Sequence, residues 1–407
     1  MQEYYAHLYP YDRLVELLTC NGDKLADVEF ALEGKSESGA KIYKRFVSVA
    51  TAAALRAAVS KFPGISAVHF GAFYSNCPTM RASGSVPVRR VLSFDIDLTD
   101  KEFLTLKDAD GNVSPEMCDA ACPVSAMSAY ILRRMLQKAF GYSRILIVYS
   151  GRRGVHVHVF DERAMQLNDE ARSAVVSYVN GSMHESGLHA TSGVRLVMEM
   201  HGLRREVYRA FKTYIVGEMQ VFANCSARVR FVQQLNLARY EAQDHQVLAP
   251  QIAALTDDVL DAETSEAAWA FLEKRVDDFG QDWVRARLDL VVLSYVWPRL
   301  DENVTRSLGH LTKVPFSCHA TSGRIAVAMG IDRASIYNFN PARQAPSLKC
   351  WDQALMDDAV ERFRVQPGAA PTPADVDMED AVQPLRALVP RGRSVARKPS
   401  PLGPHAR

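Results

Sequence analysis

The run VLSFDIDL at residues 91–98 constrains the fold more than any other segment of this chain. Its apolar residues favour a buried β-strand, yet the strand also carries the carboxylates Asp95 and Asp97. Because side chains alternate along a strand, both acids leave from one face, about 6.5 Å apart. Adjacent acids repel each other, and Mg²⁺ takes hard oxygen ligands such as carboxylates. The pattern therefore indicates either a metal site or a solvated strand face.

A β-hairpin is predicted further along the chain. Arg144–Ser150 is an apolar, β-branched run, Gly151–Gly154 is a glycine-bounded turn, and Val155–Phe160 alternates strictly. The turn carries Arg152 and Arg153, whose guanidinium groups match phosphate oxygens with paired hydrogen bonds. Arginines in a turn are often only solvated, but two glycines that fix this turn between apolar strands favour phosphate binding.

The charge and cysteine content narrow the class of protein. The 407 residues have a formal net charge of +1, which excludes a uniformly basic nucleic-acid binder but not a local basic channel. The seven cysteines lack paired spacing, which favours a reducing compartment. No apolar run reaches the roughly 18 residues of a membrane span, and the N-terminus lacks a signal-peptide pattern. We therefore expect no membrane association.

Hydrophobic periodicity predicts an α/β arrangement. Helices are expected at 1–20, 52–62 and 125–140, with strands within 27–49 and at 67–75. The third helix crosses from the acid strand to the hairpin, as in an α/β layer.

The rest of the chain divides by composition. Residues 163–289 have a mostly helical period and predict an inserted helical subdomain. The segments 1–162 and 290–345 then form one core, and 346–365 adds a C-terminal helix. Residues 366–407 are rich in proline and arginine with little apolar periodicity, so we expect a disordered tail.

A third stretch gains meaning only beside the first two. Asp301 follows WPRL, and the segment KVPFSCHATSGR at 313–324 carries Lys313, His319 and Arg324 among turn-forming residues.

Together these stretches resemble the catalytic small subunit of the archaeal–eukaryotic DNA primases, the eukaryotic branch in particular. The resemblance spans about residues 1–345 in the family's order, with less specific support from YYAHLYPY, IYKRF and FGAFYS. Four segments carry it: SFDID is similar to the first metal-binding motif, YSGRRGVH to the S-G-R-R-G-x-H motif, PRLD to the third acid, and KVPFSCHATSGR to the triphosphate-binding segment.

The resemblance implies an α/β fold with a primase-type catalytic core of mixed sheets. It implies synthesis of short RNA primers on a single-stranded DNA template for replication. Asp95, Asp97 and Asp301 would hold two Mg²⁺ or Mn²⁺ ions for nucleotidyl transfer. Seven side chains would bind the incoming NTP: Arg45, Ser150, Arg152, Arg153, His156, Lys313 and His319.

The resemblance also implies partners and a compartment. These are a large primase subunit with an iron–sulfur domain, a DNA polymerase α assembly beyond it, and a nuclear location. One departure concerns the nucleotide: Ala67 and His69 stand where relatives carry a lysine and an aspartate, which leaves sugar selectivity open.

Two other functions stay open. D-x-D strands also hold divalent cations in sugar-nucleotide glycosyltransferases, although that interpretation leaves the arginine hairpin and the Asp301–Arg324 block unexplained. A primase-like protein that binds nucleic acid without catalysis would be expected to have lost acids or arginines, and all are present.

Zinc content is where this chain departs most from the eukaryotic relatives, which carry a cysteine-rich zinc knuckle after the first motif. The segment MCDAACPVS keeps only Cys118 and Cys122, and Ser125 stands where a further ligand is expected. Structural zinc normally needs four nitrogen or sulfur ligands.

We therefore predict far less than one zinc ion per purified chain, measured by elemental analysis. One tightly bound zinc per chain would contradict this prediction and would show that a distant side chain completes the site.

Overall fold

A computed structural model describes residues 1–97, 114–180, 202–235, 237 and 245–364. The tail predicted at 366–407, and Leu98 of the acid strand, lie outside the described residues. None of the helices in this described part combines the length and hydropathy that a membrane crossing requires.

The strands of the described residues are β1 (Val28–Lys35), β2 (Lys41–Val47), β3 (Ala67–Tyr74), β4 (Pro87–Arg89), β5 (Leu92–Ile96), β6 (Ile145–Tyr149), β7 (Val155–Val159) and β8 (Thr312–Lys313). The α-helices are α1 (Tyr11–Leu18), α2 (Ala52–Ser60), α3 (Pro115–Phe140), α4 (Glu162–Met165), α5 (Asp169–Asn180), α6 (Arg204–Ala210), α7 (Cys225–Leu235), α8 (His245–Leu260), α9 (Ser265–Asp278), α10 (Asp282–Val296), α11 (Glu302–Arg306), α12 (Arg333–Tyr337), α13 (Pro341–Gln344) and α14 (Gln353–Arg364). Two π-helical turns cover Tyr4–Leu8 and Phe211–Glu218, and short 3₁₀ segments cover Leu25–Asp27, Pro78–Ser83 and Val221–Ala223.

The strands form two sheets. The larger has the order β2–β1–β3–β4, with β8 paired to the other end of β3, and the smaller has the order β5–β7–β6. Every strand pair in the described part is antiparallel, so the prediction of mixed sheets is wrong. The reason is the connections: β1–β2 and β6–β7 are hairpins, and α3 carries the chain from β5 to β6 while β7 takes the place between them.

The predicted hairpin is confirmed, with β6 and β7 in register from Ile145 opposite Val159 to Tyr149 opposite Val155. The helix predicted at 125–140 begins ten residues earlier, at Pro115. Ser114 caps it by accepting a hydrogen bond from the Met117 amide at 3.2 Å, and Pro115 suits the first helical position. The internal Pro123 does not end the helix, so the cysteine segment is helical rather than a knuckle.

The described residues between β7 and β8 contain helices and no named strand, as the helical period predicts. Helix α10 runs across the predicted boundary between residues 289 and 290. The division into domains stays a prediction.

Buried tyrosines of the first eleven residues support the segment that follows β8. Tyr4 donates its hydroxyl to the carbonyl of Phe316, and Tyr9 donates to that of Pro315, both at 2.7 Å. These side chains are almost fully buried, so the N-terminal residues fix the backbone between Lys313 and His319.

The fully buried Arg90 forms hydrogen bonds with the segment that precedes Lys313. Its guanidinium donates to the carbonyls of Val304 (2.8 Å) and Ser307 (3.2 Å) and to the Thr312 hydroxyl (2.7 Å). Burial lowers the pKa of Arg90 to about 9, because a guanidinium that leaves water loses hydration. Arg90 thus joins the start of β5 to the loop between Asp301 and Lys313.

Candidate active site

Three acids meet at the C-terminal end of β5. Asp95 is its penultimate residue, and Asp97 follows it. A bridge pairs Ile96 with Leu300, and the Asp301 amide donates to the Asp95 carbonyl at 3.0 Å. The backbone therefore returns the third acid, about 200 residues later in sequence, to the first two.

Two side chains of the neighbouring hairpin, Arg153 and His156, face these acids. Arg153 donates to both carboxylate oxygens of Asp97, with Nε at 2.9 Å and Nη2 at 3.3 Å. His156 lies opposite Asp95 in the register of β5 and β7, and its Nε2 is 3.7 Å from Asp95 Oδ1. The two acids, which had no evident partner within their own strand, have partners across the sheet.

The charge balance at Asp95 is unfavourable to its ionised form. Burial raises the pKa of Asp95, and the nearby charges of Asp97 and Asp301 raise it further. His156 and Lys313 act in the opposite direction. An additional positive charge at this position would therefore stabilise the ionised acids.

The hairpin tip is closely packed. The Ser150 hydroxyl accepts a hydrogen bond from the Gly154 amide at 3.1 Å, so this predicted phosphate ligand also closes the turn. Gly151 has φ of +94°, and a Cβ there would lie 2.8 Å from the Cβ of His319. Glycine is required at this position both for its backbone angle and for the approach of His319.

Lys313, at the end of β8, and His319, in the segment that follows, approach the same place. Burial lowers the pKa of His319 to about 4, and Lys313, Arg152 and Arg153 lower it through their charges. The ring Nδ1 accepts hydrogen bonds from the amides of Thr321 (3.3 Å) and Ser322 (3.4 Å). A neutral ring that accepts at Nδ1 carries its proton on Nε2, which makes His319 a hydrogen-bond donor.

Arg45 is placed differently from the other predicted residues. It lies on β2, and its guanidinium holds the buried Glu29 at 2.9 Å and 3.2 Å and the Gly309 carbonyl at 3.0 Å. Tyr74 donates to the same carboxylate at 3.2 Å. Arg45 thus supports the loop beside Asp301.

Two histidines next to β8 were not among the residues predicted to bind metal or nucleotide. The pKa of His310 is lowered by burial and by the charge of Arg90, while the charges of Asp301 and Asp95 raise it. One indication of a role for His310 was available in the sequence, which is its position after Gly309, in the turn that leads to Lys313. His69 pairs with Lys313 across β3 and β8, and burial lowers its pKa to about 4 beside Glu33. The ring of His158, on the same strand as His156, is fully buried, with Nδ1 2.9 Å from the Ser93 hydroxyl.

The donor chemistry of the three acids fits Mg²⁺ or Mn²⁺, since all three are carboxylates and their mutual repulsion favours a cation. Within the described residues, no three carboxylate, imidazole or thiol groups are already arranged to hold a metal. Asp97 is bound to Arg153, so metal binding requires these side chains to rearrange.

The two cysteines expected as a zinc remnant are buried on α3. Burial raises the pKa of Cys118, and it raises the pKa of Cys122 to about 12. Ser125, one turn further along the helix, donates its hydroxyl to the Arg153 carbonyl at 2.9 Å. The expectation that zinc is lost stays a prediction.

Comparison with known proteins shows which family this chain is similar to. Residues 94–331, more than half of the chain, match the family model described as DNA primase small subunit. The chain is 27% identical over 362 residues to a DNA primase small subunit of Schizosaccharomyces pombe, covering 84% of this chain and 75% of that protein. It is 26% identical over 346 residues to one of Saccharomyces cerevisiae, covering 80% of each. It is also 26% identical over 258 residues to an archaeal one of Thermococcus sibiricus, covering 62% of this chain and 66% of that protein.

We predict that His319 titrates near pH 4 in the folded protein, measured from its imidazole shifts by NMR. An unfolded histidine takes up its proton near pH 6.5. The folded chain therefore binds fewer protons between these values, and the stabilisation from neutral His319 is complete above about pH 6.5 and falls as the pH drops towards 4. Lys313→Met should raise this pKa, whereas Lys61→Met, an exposed control on the far end of α2, should not. Titration of His319 near pH 6.5 in the wild type would contradict the prediction.

Proposed function

This chain belongs to the DNA primase small-subunit family, enzymes of primer synthesis for DNA replication, and from that premise we propose how it works. It synthesises short RNA primers on single-stranded DNA by nucleotidyl transfer with two divalent ions. The observation that carries this proposal is the backbone contact that sets Asp301 beside Asp95 while Arg153 faces Asp97. A cluster of acids that can hold metal ions thus lies next to a hairpin tip whose arginines can bind phosphate.

In the proposed reaction, Asp95, Asp97 and Asp301 hold two Mg²⁺ or Mn²⁺ ions. When bound, these ions would lower the pKa of the attacking 3′-hydroxyl and would neutralise the negative charge of the leaving pyrophosphate. Arg153 exchanges its bond with Asp97 for one with the triphosphate, which frees the carboxylate as the phosphate charge arrives. The mutual repulsion of the acids and the burial of Asp95 oppose this loss of positive charge, so the exchange requires the metal ions to take the place of the guanidinium.

Four further side chains bind and orient the triphosphate. Lys313 lies at the end of β8 and His319 in the segment after it, and Arg152 and His156 belong to the hairpin. His319 would donate a hydrogen bond from a neutral ring, which binds phosphate without adding another charge to a cationic site. Such groups stabilise the negative charge that grows during transfer, because they are already in place.

As a small subunit, the chain acts in a complex with a large subunit. We further propose that this partner carries an iron–sulfur domain, that a DNA polymerase α assembly lies beyond it, and that the complex is nuclear. Membership of the primase family excludes the glycosyltransferase interpretation, and the three retained acids argue against a role limited to nucleic-acid binding.

The acids are tested directly by primer synthesis. Asp95→Ala, Asp97→Ala and Asp301→Ala should each reduce product by about 100-fold or more, because each removes a metal ligand. The assay uses a poly(dT) template, labelled ATP and Mn²⁺, and resolves short oligoribonucleotides on a gel. Folding of the Asp95 variant should be nearly intact, since the ionised acid is disfavoured by its burial.

The matched control for these variants is Asp257→Ala, an exposed acid on α8, which should keep full activity. Substantial synthesis by any of the three acid variants would refute the two-metal assignment. A wild-type chain with no synthesis, alone or with its large subunit, would refute the proposed function.

Arg153→Ala should raise the KM for NTP by about 10- to 100-fold, the usual effect of losing hydrogen bonds to a charged group. Arg152→Ala should act in the same direction, and both should leave the affinity for single-stranded DNA within about twofold. Arg153→Lys should restore only part of the KM, because an ammonium cannot reproduce the planar fork. Arg343→Ala, at an exposed site on α13, is the control. A collapse of DNA affinity with unchanged KM would show that the hairpin binds the template instead.

A further inference from the structure

Three successive carbonyls at the tip of the β6–β7 hairpin each accept a hydrogen bond from a hydroxyl group on a different element. The Ser322 hydroxyl donates to Gly151 O at 2.6 Å, and Tyr149 donates to Arg152 O at 3.0 Å. Ser125 on α3 donates to Arg153 O at 2.9 Å. The tip is thus held from the helix, from the strand and from the loop after β8.

These bonds also fix the amides of the tip. In a trans peptide the C=O and the following N–H point in opposite directions, so a tethered carbonyl turns the next amide away. The Gly154 amide accordingly reaches the Ser150 hydroxyl at 3.1 Å. The amides of Arg152 and Arg153 have no acceptor at hydrogen-bond distance in the described part of the chain. Two unpaired donors therefore lie beside two guanidinium groups.

Helix α3 supports both sides of this arrangement. Its Ser125 is fully buried against the tip, and its Asp119 holds Arg324 of the loop, with Nη2 at 2.7 Å from Oδ2. The Arg324 carbonyl accepts from the His319 amide at 2.8 Å, and its amide donates to the Ser322 hydroxyl at 3.2 Å. One helix thus sets the relative position of the hairpin and of the loop that carries His319.

We propose that Ser125, together with Ser322 and Tyr149, positions the hairpin tip for the triphosphate, so that affinity for NTP depends on a buried serine that does not touch the nucleotide. This inference rests on the proposed function. It assigns a role to Ser125, the residue that stands where the family pattern has a further zinc ligand.

The chain provides a matched control on the same helix. Ser128 lies one turn beyond Ser125, is equally buried, and donates to the Val296 carbonyl of α10 at 2.8 Å. Ser125→Ala and Ser128→Ala each remove one buried hydroxyl from α3 and leave one carbonyl without that donor. Only the first of these carbonyls belongs to the hairpin tip.

The experiment compares KM and kcat for NTP with unfolding midpoints in urea. Both variants should lower the midpoint to a similar extent. Ser125→Ala should raise KM by about 3- to 10-fold, the effect of one hydrogen bond, with kcat within about twofold. Ser128→Ala should leave KM unchanged. Ser322→Ala and Tyr149→Phe should raise KM like Ser125→Ala, and they decide the question if Ser125→Ala does not fold.

An unchanged KM in the tip variants, or an equal rise in Ser128→Ala, would overturn the proposal. Affinity for inorganic tripolyphosphate, measured by calorimetry, separates it from the proposed function. A wild-type chain that makes no primers, but binds tripolyphosphate more tightly than Ser125→Ala does, would refute the function and keep the positioning role. Equal binding by the two proteins would refute the positioning role.

Discussion

The structure depends on the need to place positive charge beside two carboxylates at the end of a buried strand. Asp95 and Asp97 repel each other, and burial makes the ionised form of Asp95 still less favourable. The fold meets this need by pairing β5 with β7 in an antiparallel arrangement. This pairing sets His156 opposite Asp95 and brings Arg153 to Asp97. A slip of one residue would turn these side chains to the other face, so the charge pairs and the apolar core select the same register.

The repulsion between the acids also explains why the segment that carries Asp301 is held to β5 by several buried hydrogen bonds. Asp301 adds a third negative charge, and its position relies on a backbone bond to Asp95 rather than on attraction. The Thr305 hydroxyl donates to the Ser93 carbonyl at 2.8 Å, and the buried Arg90 holds the loop that follows. Buried hydrogen bonds of this kind are costly to leave unmade, so they can keep like charges together until a cation binds.

The features that depend on neighbouring residues could be predicted from the sequence. Those that depend on contacts between distant segments could not. Strict alternation and glycine spacing were enough for the acid strand and the hairpin, because both depend on neighbouring residues. The sheet type was predicted wrongly because the position of β7 between β5 and β6 is a tertiary choice. The start of α3 was missed because the helix was predicted only from the apolar spacing within 125–140; α3 continues through Pro123, since a proline removes only one hydrogen bond from a long buried helix. The pairing of Arg153 with Asp97 follows from the register and has no local signal.

Helix α3 links the departure from the family pattern to the site. A cysteine binds zinc as its thiolate, and burial raises the pKa of both Cys118 and Cys122, which disfavours their thiolate form. The helix that contains them reaches the hairpin through Ser125 and the following loop through Asp119. Hydroxyl and ion-pair contacts can therefore do the work of holding the phosphate-binding tip. Those contacts come from α3, from β6 through Tyr149 and from the loop after β8 through Ser322, and none of them needs a bound metal.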